Sequence, residues 1–300
     1  MNDGLHNNTV SLNDRWYLNR NWQFLLFNIT FSLAFFGPLR ELMLTSWRSE
    51  YYTYIPFIPF ISAYLIHEER RNIFSSQEYS LPVGLMLIVI SSLLLYVVYA
   101  QASFAGSADH LSIITFLLIV LWVGGFTLFY GAGSLKAAAF PLLFLMFAVP
   151  IPNGLLNWTI KFLQTGSAEV SYWLFRIAGI PMARDGFVFH FPTIDIAIAP
   201  QCSGIRSSLS LVITGVLAAF FFLKTSWARA ILMVSIVPIA ILKNGVRIAV
   251  LTILTIYWDK DFLSGDLHRK GGFVFFILAL LLAGAVIALL RKIESRKSTL

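Results

Sequence analysis

Charge is what this sequence has least of. Asp, Glu, Lys and Arg make up 12% of the 300 residues, about half the ~25% of an ordinary soluble domain. So small a polar complement excludes a water-covered globule of this length, and most of the chain has to face lipid. Cysteine is nearly absent as well: Cys202 stands alone. A single cysteine excludes an intrachain disulfide, so pairing says nothing about compartment. Such a residue in a membrane protein is ordinarily an inert, small apolar group. No set of His, Cys and carboxylates has zinc-ligand spacing, and there is no Gly-rich phosphate loop; neither a metal nor a cofactor is expected. The net charge of +7 does not call for nucleic acid. Lys and Arg are spread thinly between apolar runs, without the aromatic–basic interleaving used on single strands. Charges flanking membrane spans account for them. With no internal repeat and no low-complexity linker, residues 1–300 read as a single multi-pass membrane domain.

What the chain does have is apolar length. Hydrophobic residues make up 58% of it, 27 of them Phe. A membrane helix needs about 20 apolar residues. Candidate spans are Trp22–Leu44, Tyr54–Ile66 with its flanks, Pro82–Ala100, Leu111–Tyr130, Ala137–Ile151, Ile205–Phe222, Arg229–Tyr257 and Phe273–Leu290. The expected fold is therefore an all-α integral membrane protein with about eight transmembrane helices. Gly37-Pro38 interrupts the first span, and Pro56 and Pro59 shorten the second. The polar Met1–Asn21 leads into a run without a small-residue cleavage site, which reads as an anchor.

Two segments break the pattern. In Leu155–Ala178, apolar Leu155, Phe162, Val170, Leu174 and Ile177 are interrupted by Asn157, Lys161, Gln164, Glu169 and Arg176. That spacing predicts an amphipathic helix at the interface or against other helices. In Gly186–Ala199, Phe187, Phe189 and Phe191 alternate with Val188 and His190, and Ile194, Ile196 and Ile198 alternate with Asp195 and Ala197. The period of two predicts a short hairpin about Pro192-Thr193. Open sheet edges cannot face hydrocarbon, so this strand-like segment, just before the Cys202 helix, sits outside the membrane or caps the helices at the interface.

Lys and Arg collect on cytoplasmic loops. Placing Arg15, Arg20, Arg70, Arg71, Lys136, Lys224, Arg229 and the cluster from Arg291 to Lys297 inside closes an eight-span topology with both termini cytoplasmic; Arg40 and Arg48 count against it. Cys202 then lies at the outer face. At 1.5 Å per residue, Cys202 stands roughly 33 Å above Lys224, Arg247 roughly 27 Å above Arg229, and His268 roughly 34 Å above Arg291. Three helices thus carry three reactive side chains to one level.

The chemistry at that level suits acyl transfer through a thioester. Cys202 precedes an apolar helix, whose unpaired N–H groups favour a thiolate. Arg206 adds positive field, or is a helix-end residue snorkelling to the interface. Ser203-Gly204 offers a small turn where a carbonyl could meet backbone donors. Arg247 interrupts an apolar helix with Lys243 and Asn244, and an intramembrane arginine is a functional candidate by default. Its structural alternative is a pair with Asp195, Asp259 or Asp266. Arginine can orient a carbonyl, stabilise an anion or bind a carboxylate. His268 can shuttle a proton near neutrality.

Ala199-Pro200-Gln201-Cys202-Ser203-Gly204-Ile205-Arg206-Ser207, then Asn244-Gly245-Val246-Arg247-Ile248, then His268 ahead of Gly271 resemble the exosortase/archaeosortase family of multi-pass membrane transpeptidases. Pro141-Leu142-Leu143-Phe144-Leu145, Pro150-Ile151-Pro152, Gly179-Ile180-Pro181 and Arg184-Asp185-Gly186 also look like it. The likeness covers about 141–290. It implies a cell (inner) membrane enzyme with an extracytoplasmic active site. Its partners would be exported proteins carrying a PEP-CTERM-like tail (motif, apolar span, basic cluster), the lipid bilayer, and an acceptor nucleophile of unspecified kind. It implies Cys202 as nucleophile, Arg247 as proton donor or electrostatic partner, and His268 in the third position, which is His in the bacterial exosortase branch. Arg206, Asn244 and Ser203 are supporting candidates. Two other readings stay open: a transporter with Arg247 and Lys243 lining an anion path, and a non-catalytic component of surface polysaccharide export.

Overall fold

The computed structural model describes residues 12–75, 81–101, 108–258 and 272–297. Its contacts divide the chain into two compact units, Met1–Asn153 and Gly154–Leu300. Cys202 and Arg247 both lie in the second.

In the first unit, α1 (Leu12–Ala34) and α2 (Phe36–Arg48) meet at Phe35 with a bend of 73° between Arg20–Ala34 and α2. Pro38 sits in the first turn of α2, where its missing N–H has no intrahelical duty. A short 3₁₀ turn (Ile55–Phe57) opens α3 (Ile58–Glu68), and α4 (Arg70–Ile73) follows. The antiparallel core is α5 (Leu81–Ala100) against α6 (Ala108–Ala137), which is kinked at Gly131. A Cβ on Gly84 would come within 2.7 Å of the Leu128 backbone N, so the two backbones approach as closely as small residues allow. In the apolar window of α5, 17% is buried, against 61% for α6. α6 is thus the inner helix, and α5 turns most of its Leu, Val and Ile outward to lipid. The arginine at the start of this unit is buried rather than free at a surface: Arg20 donates from Nε to Phe129 O at 2.8 Å and lies over the Tyr130 ring.

The expected span Ala137–Ile151 is shorter than predicted. It forms α7 (Ala139–Phe144) and a 3₁₀ turn (Leu145–Ala148), ended by Pro150 and Pro152, which cannot continue a helix. Expected span two is likewise only the 11-residue α3. Among the described residues, five helices are long and apolar enough to cross a bilayer. The number is up to seven if α1 with α2, and Ala139–Ala148 with the next helix, each count as one broken span. The class, an all-α integral membrane protein, stands; the number of spans differs from the eight expected because Tyr54–Ile66 and Ala137–Ile151 form helices below membrane length and the 73° bend at Phe35 breaks the first run.

The second unit starts with α8, Asn153–Ile177, helical as its pattern predicts. Leu156, Ile160, Leu163, Gln164, Ser167, Ala168, Ser171 and Phe175 are buried, the i, i+3/i+4, i+7 recurrence of one helical face. Three antiparallel strands follow in the order β1 (Ala183–Asp185), β2 (Val188–His190), β3 (Asp195–Ala197). The hairpin is where the period of two puts it. Phe189, Phe191, Ile196 and Ile198 turn inward to Ala168 and Phe175 of α8 and to Ala249, while Asp195 and Ala197 turn outward. Phe175 meets Phe189 and Phe191 edge-on at 5.5 and 5.2 Å, the favoured aromatic geometry. β1 was not predicted; Gly186, at φ +57°, permits the two-residue loop that returns it onto β2. Arg184 ties it down, with Nη1 2.8 Å from Glu169 Oε1 and its guanidinium over Phe189.

Three long helices complete the unit: α9 (Ile205–Phe222), α10 (Ser226–Tyr257) and α11 (Gly272–Lys297). Leu211, Ile236, Ile239, Ala240, Ala279 and Ala283 make their common core. At one end, Glu294 of α11 accepts from the backbone N–H of Thr225, the residue preceding α10, at 2.7 Å.

Candidate active site

Cys202 precedes α9, as the sequence suggested, but is set apart from the helix's own N-terminus. It lies in a single 3₁₀ turn, Pro200–Ser203, and Gly204 separates that turn from the helix. Its N–H is already used, donating to Ala199 O at 2.8 Å. The unpaired first-turn donors belong instead to Ile205–Ser207. Gly204 adopts φ +74°, and a Cβ there would lie 2.6 Å from Asn244 Oδ1. The residue is glycine for both reasons: the left-handed backbone and the pressed amide.

Asn244 fixes the turn from the other side. It is buried, and its Nδ2 donates to Cys202 O at 2.8 Å and to Ser167 Oγ at 3.0 Å. One side chain of α10 thus joins the cysteine turn to α8. α8 adds two more bonds: Gln164 Nε2 donates to Ile198 O at 2.6 Å, and Ser171 Oγ to Gly245 O at 3.0 Å. Ser203 is buried, and its Oγ and Asn244 Oδ1 have no hydrogen-bond partner among the described residues. Buried polar atoms of this kind are rare and call for an explanation; one belongs to the residue after Cys202 and the other to the amide that bonds Cys202 O.

Cys202 and Arg247 line the same small cavity, about 40 Å³, with Ile196, Ala197, Ile198, Ile248, Leu251 and Thr252. The level predicted by helix arithmetic for these two residues is thereby matched by adjacency. Asp195, one proposed structural partner of Arg247, is engaged elsewhere: His190 Nδ1 lies 2.9 Å from its Oδ1. Arg206 is exposed and outside this cavity's lining. His268, like Asp259 and Asp266, lies outside the described residues.

Sequence reasoning passed over most of the supporting polar groups. Gln164, Ser167 and Ser171 recur at i, i+3, i+7, a polar stripe inside an amphipathic helix, and that stripe was the available signal. Lys243, which interrupts the apolar helix together with Asn244 and Arg247, is turned inward. It is 2% exposed, and its Nζ donates to Ser207 Oγ. Among the described residues no carboxylate pairs with it, and the buried amine rests on a neutral hydroxyl. Lys243 and Arg247 are spaced i, i+4 and share a face of α10.

Fold and site together define a multi-pass membrane protein whose one cysteine sits on a constrained turn and shares a cavity with a half-buried arginine. Residues 46–285 match the model of the family described as Transmembrane exosortase (Exosortase_EpsH). The chain belongs to that family, whose members act in the processing of sorting signals on exported proteins and are generally cysteine peptidases or transpeptidases. The match reaches well N-terminal of the 141–290 stretch that carried the resemblance. No curated protein and no solved structure matches the chain.

Proposed function

We infer that this protein is a cysteine transpeptidase of the Cys/Arg/His type that cleaves PEP-CTERM-like tails of exported proteins through an acyl-thioester. The observation that carries the reading is the cavity shared by Cys202 and Arg247, within the stretch the family model covers. Cys202 Sγ attacks the scissile carbonyl carbon as its proton passes to His268. The carbonyl π electrons move onto oxygen, and the Arg247 guanidinium stabilises that oxyanion. Collapse breaks the C–N bond, His268 returns the proton to the leaving amine, and the acyl group stays on sulfur. An acceptor nucleophile then releases it. Stabilisation suits arginine better than proton donation, since a guanidinium holds its proton throughout the ordinary pH range. Asn244 and Gly204 hold the turn that aims the thiol, and Ser203 Oγ is a candidate donor to the substrate.

The charge pattern supports an extracytoplasmic active site at the cell (inner) membrane, where a tail with its own apolar span would lie alongside. Lys243, buried on the Arg247 face, is the observation favouring an anion path instead; that reading makes Cys202 dispensable. Incubation with a tail-bearing protein followed by mass spectrometry separates the two. The peptidase reading expects an acyl adduct on the Cys202 peptide, released by hydroxylamine and missing from Cys202→Ser. Tail cleavage at the wild-type rate with no such adduct contradicts it.

A further inference from the structure

The outer edge of β3 has no role in the chemistry above. In the β2–β3 ladder Phe189 is opposite Ile196, Ile198 N–H donates to Phe187 O at 2.9 Å, and Phe191 N–H donates to Ile194 O at 3.0 Å. Bonded and non-bonded pairs alternate along an antiparallel ladder. Ile194, Ile196 and Ile198 therefore turn their backbone groups towards β2, and Asp195 and Ala197 turn theirs away from it. β3 is an outer strand of the sheet, so those groups meet no further strand among the described residues. Outer strands are usually blunted by proline, bulges or a covering element. This one instead runs straight into the turn carrying Cys202, and Ile196, Ala197 and Ile198 line the cavity that holds Cys202 and Arg247.

We propose that the backbone edge of β3 at Asp195 and Ala197 is the docking site for the substrate polypeptide, which adds to the sheet as an extended fourth strand and brings a carbonyl to Cys202. The proposal deepens the peptidase reading and rests on it. An extended chain is the occupant because the edge offers donors and acceptors at strand period. Helices keep their backbone groups to themselves, and acyl chains have none to offer. Strand addition of this kind draws affinity from main-chain bonds and specificity from pockets for alternate side chains. The cavity is too small for a whole segment, so the backbone lies across its mouth and one side chain enters among Ile196, Ile198 and Leu251.

The lone cysteine makes the test direct, because every thiol label reports Cys202. Acetyl-Ala-Ala-Ala chloromethyl ketone and iodoacetamide both alkylate thiols, and only the first can pair with a strand. Ala197→Pro removes the outward N–H at a position where proline leaves the β2 ladder intact. The expected result is a roughly tenfold slower reaction with the peptide reagent, the size of one or two lost backbone bonds, and an unchanged iodoacetamide rate. On the unaltered protein, N-methylation of the peptide reagent is expected to slow it similarly at alternate amides only. If the iodoacetamide rate also falls in Ala197→Pro, the N-methyl series decides. Equal peptide-reagent rates in both proteins, or indifference to N-methylation at every amide, overturns the proposal. Labelling does not depend on turnover, so tail processing that persists in Cys202→Ala would sink the peptidase reading separately.

Discussion

Gly204 holds the turn between Cys202 and α9 at φ +74°, with Asn244 Oδ1 pressed where a side chain would begin. A left-handed backbone costs an L-residue about 1–2 kcal/mol, and Gly204→Ala adds the displacement of an amide that bonds Cys202 O. Gly204→Ala is expected to lower the unfolding temperature in detergent by several degrees and to reduce tail processing. An unchanged melt would mean the amide moves freely and does not define the turn. Arg247→Lys keeps the charge and loses the planar fork. Its processing rate is expected to fall by about 10²–10³, the usual loss when one oxyanion donor is removed, with membrane levels unchanged. A near-normal rate would reduce Arg247 to a point charge. Cys202 and Arg247 were legible in the sequence because each breaks its surroundings: one is the lone thiol, the other a guanidinium in an apolar helix. Ser167 was not, since serine is unremarkable in any helix; Lys243 breaks the same apolar helix, but its bond to Ser207 is visible only in the packing.

At the scale of elements, legibility followed periodicity. The inward Phe189, Phe191, Ile196 and Ile198 obey the period of two, and the buried face of α8 obeys that of an amphipathic helix. β1 escaped because Ala183-Arg184-Asp185 has no strand pattern of its own; the Gly186 turn and the Arg184–Glu169 pair make it a strand. The apolar run Ala137–Ile151 misled in the opposite direction, since apolarity alone does not report a helix that Pro150 and Pro152 stop early. The α5–α6 pair depends on small residues. Gly84→Val would drive a branched side chain into the Leu128 backbone, and lipid gives the two helices no hydrophobic force to compensate. The expected outcome is loss of folded protein from detergent extracts, read by size-exclusion chromatography. Wild-type yield and elution would contradict the close packing.

The whole molecule is read as one in which charge sets orientation and orientation sets which side of the membrane the thiol meets. A membrane-impermeant thiol reagent tests this without any substitution, because Cys202 is the only cysteine. Labelling is expected from the extracytoplasmic side of intact cells, and labelling only after the cytoplasmic side is exposed would reverse the topology. The whole mechanism turns on the Cys202 thiol as the nucleophile in tail cleavage. Expressing Cys202→Ala in cells and following a tail-bearing exported protein on a gel puts that role to the test. The precursor is expected to accumulate uncut while the variant protein remains in the membrane at normal levels. Processing at the normal rate in Cys202→Ala would contradict it.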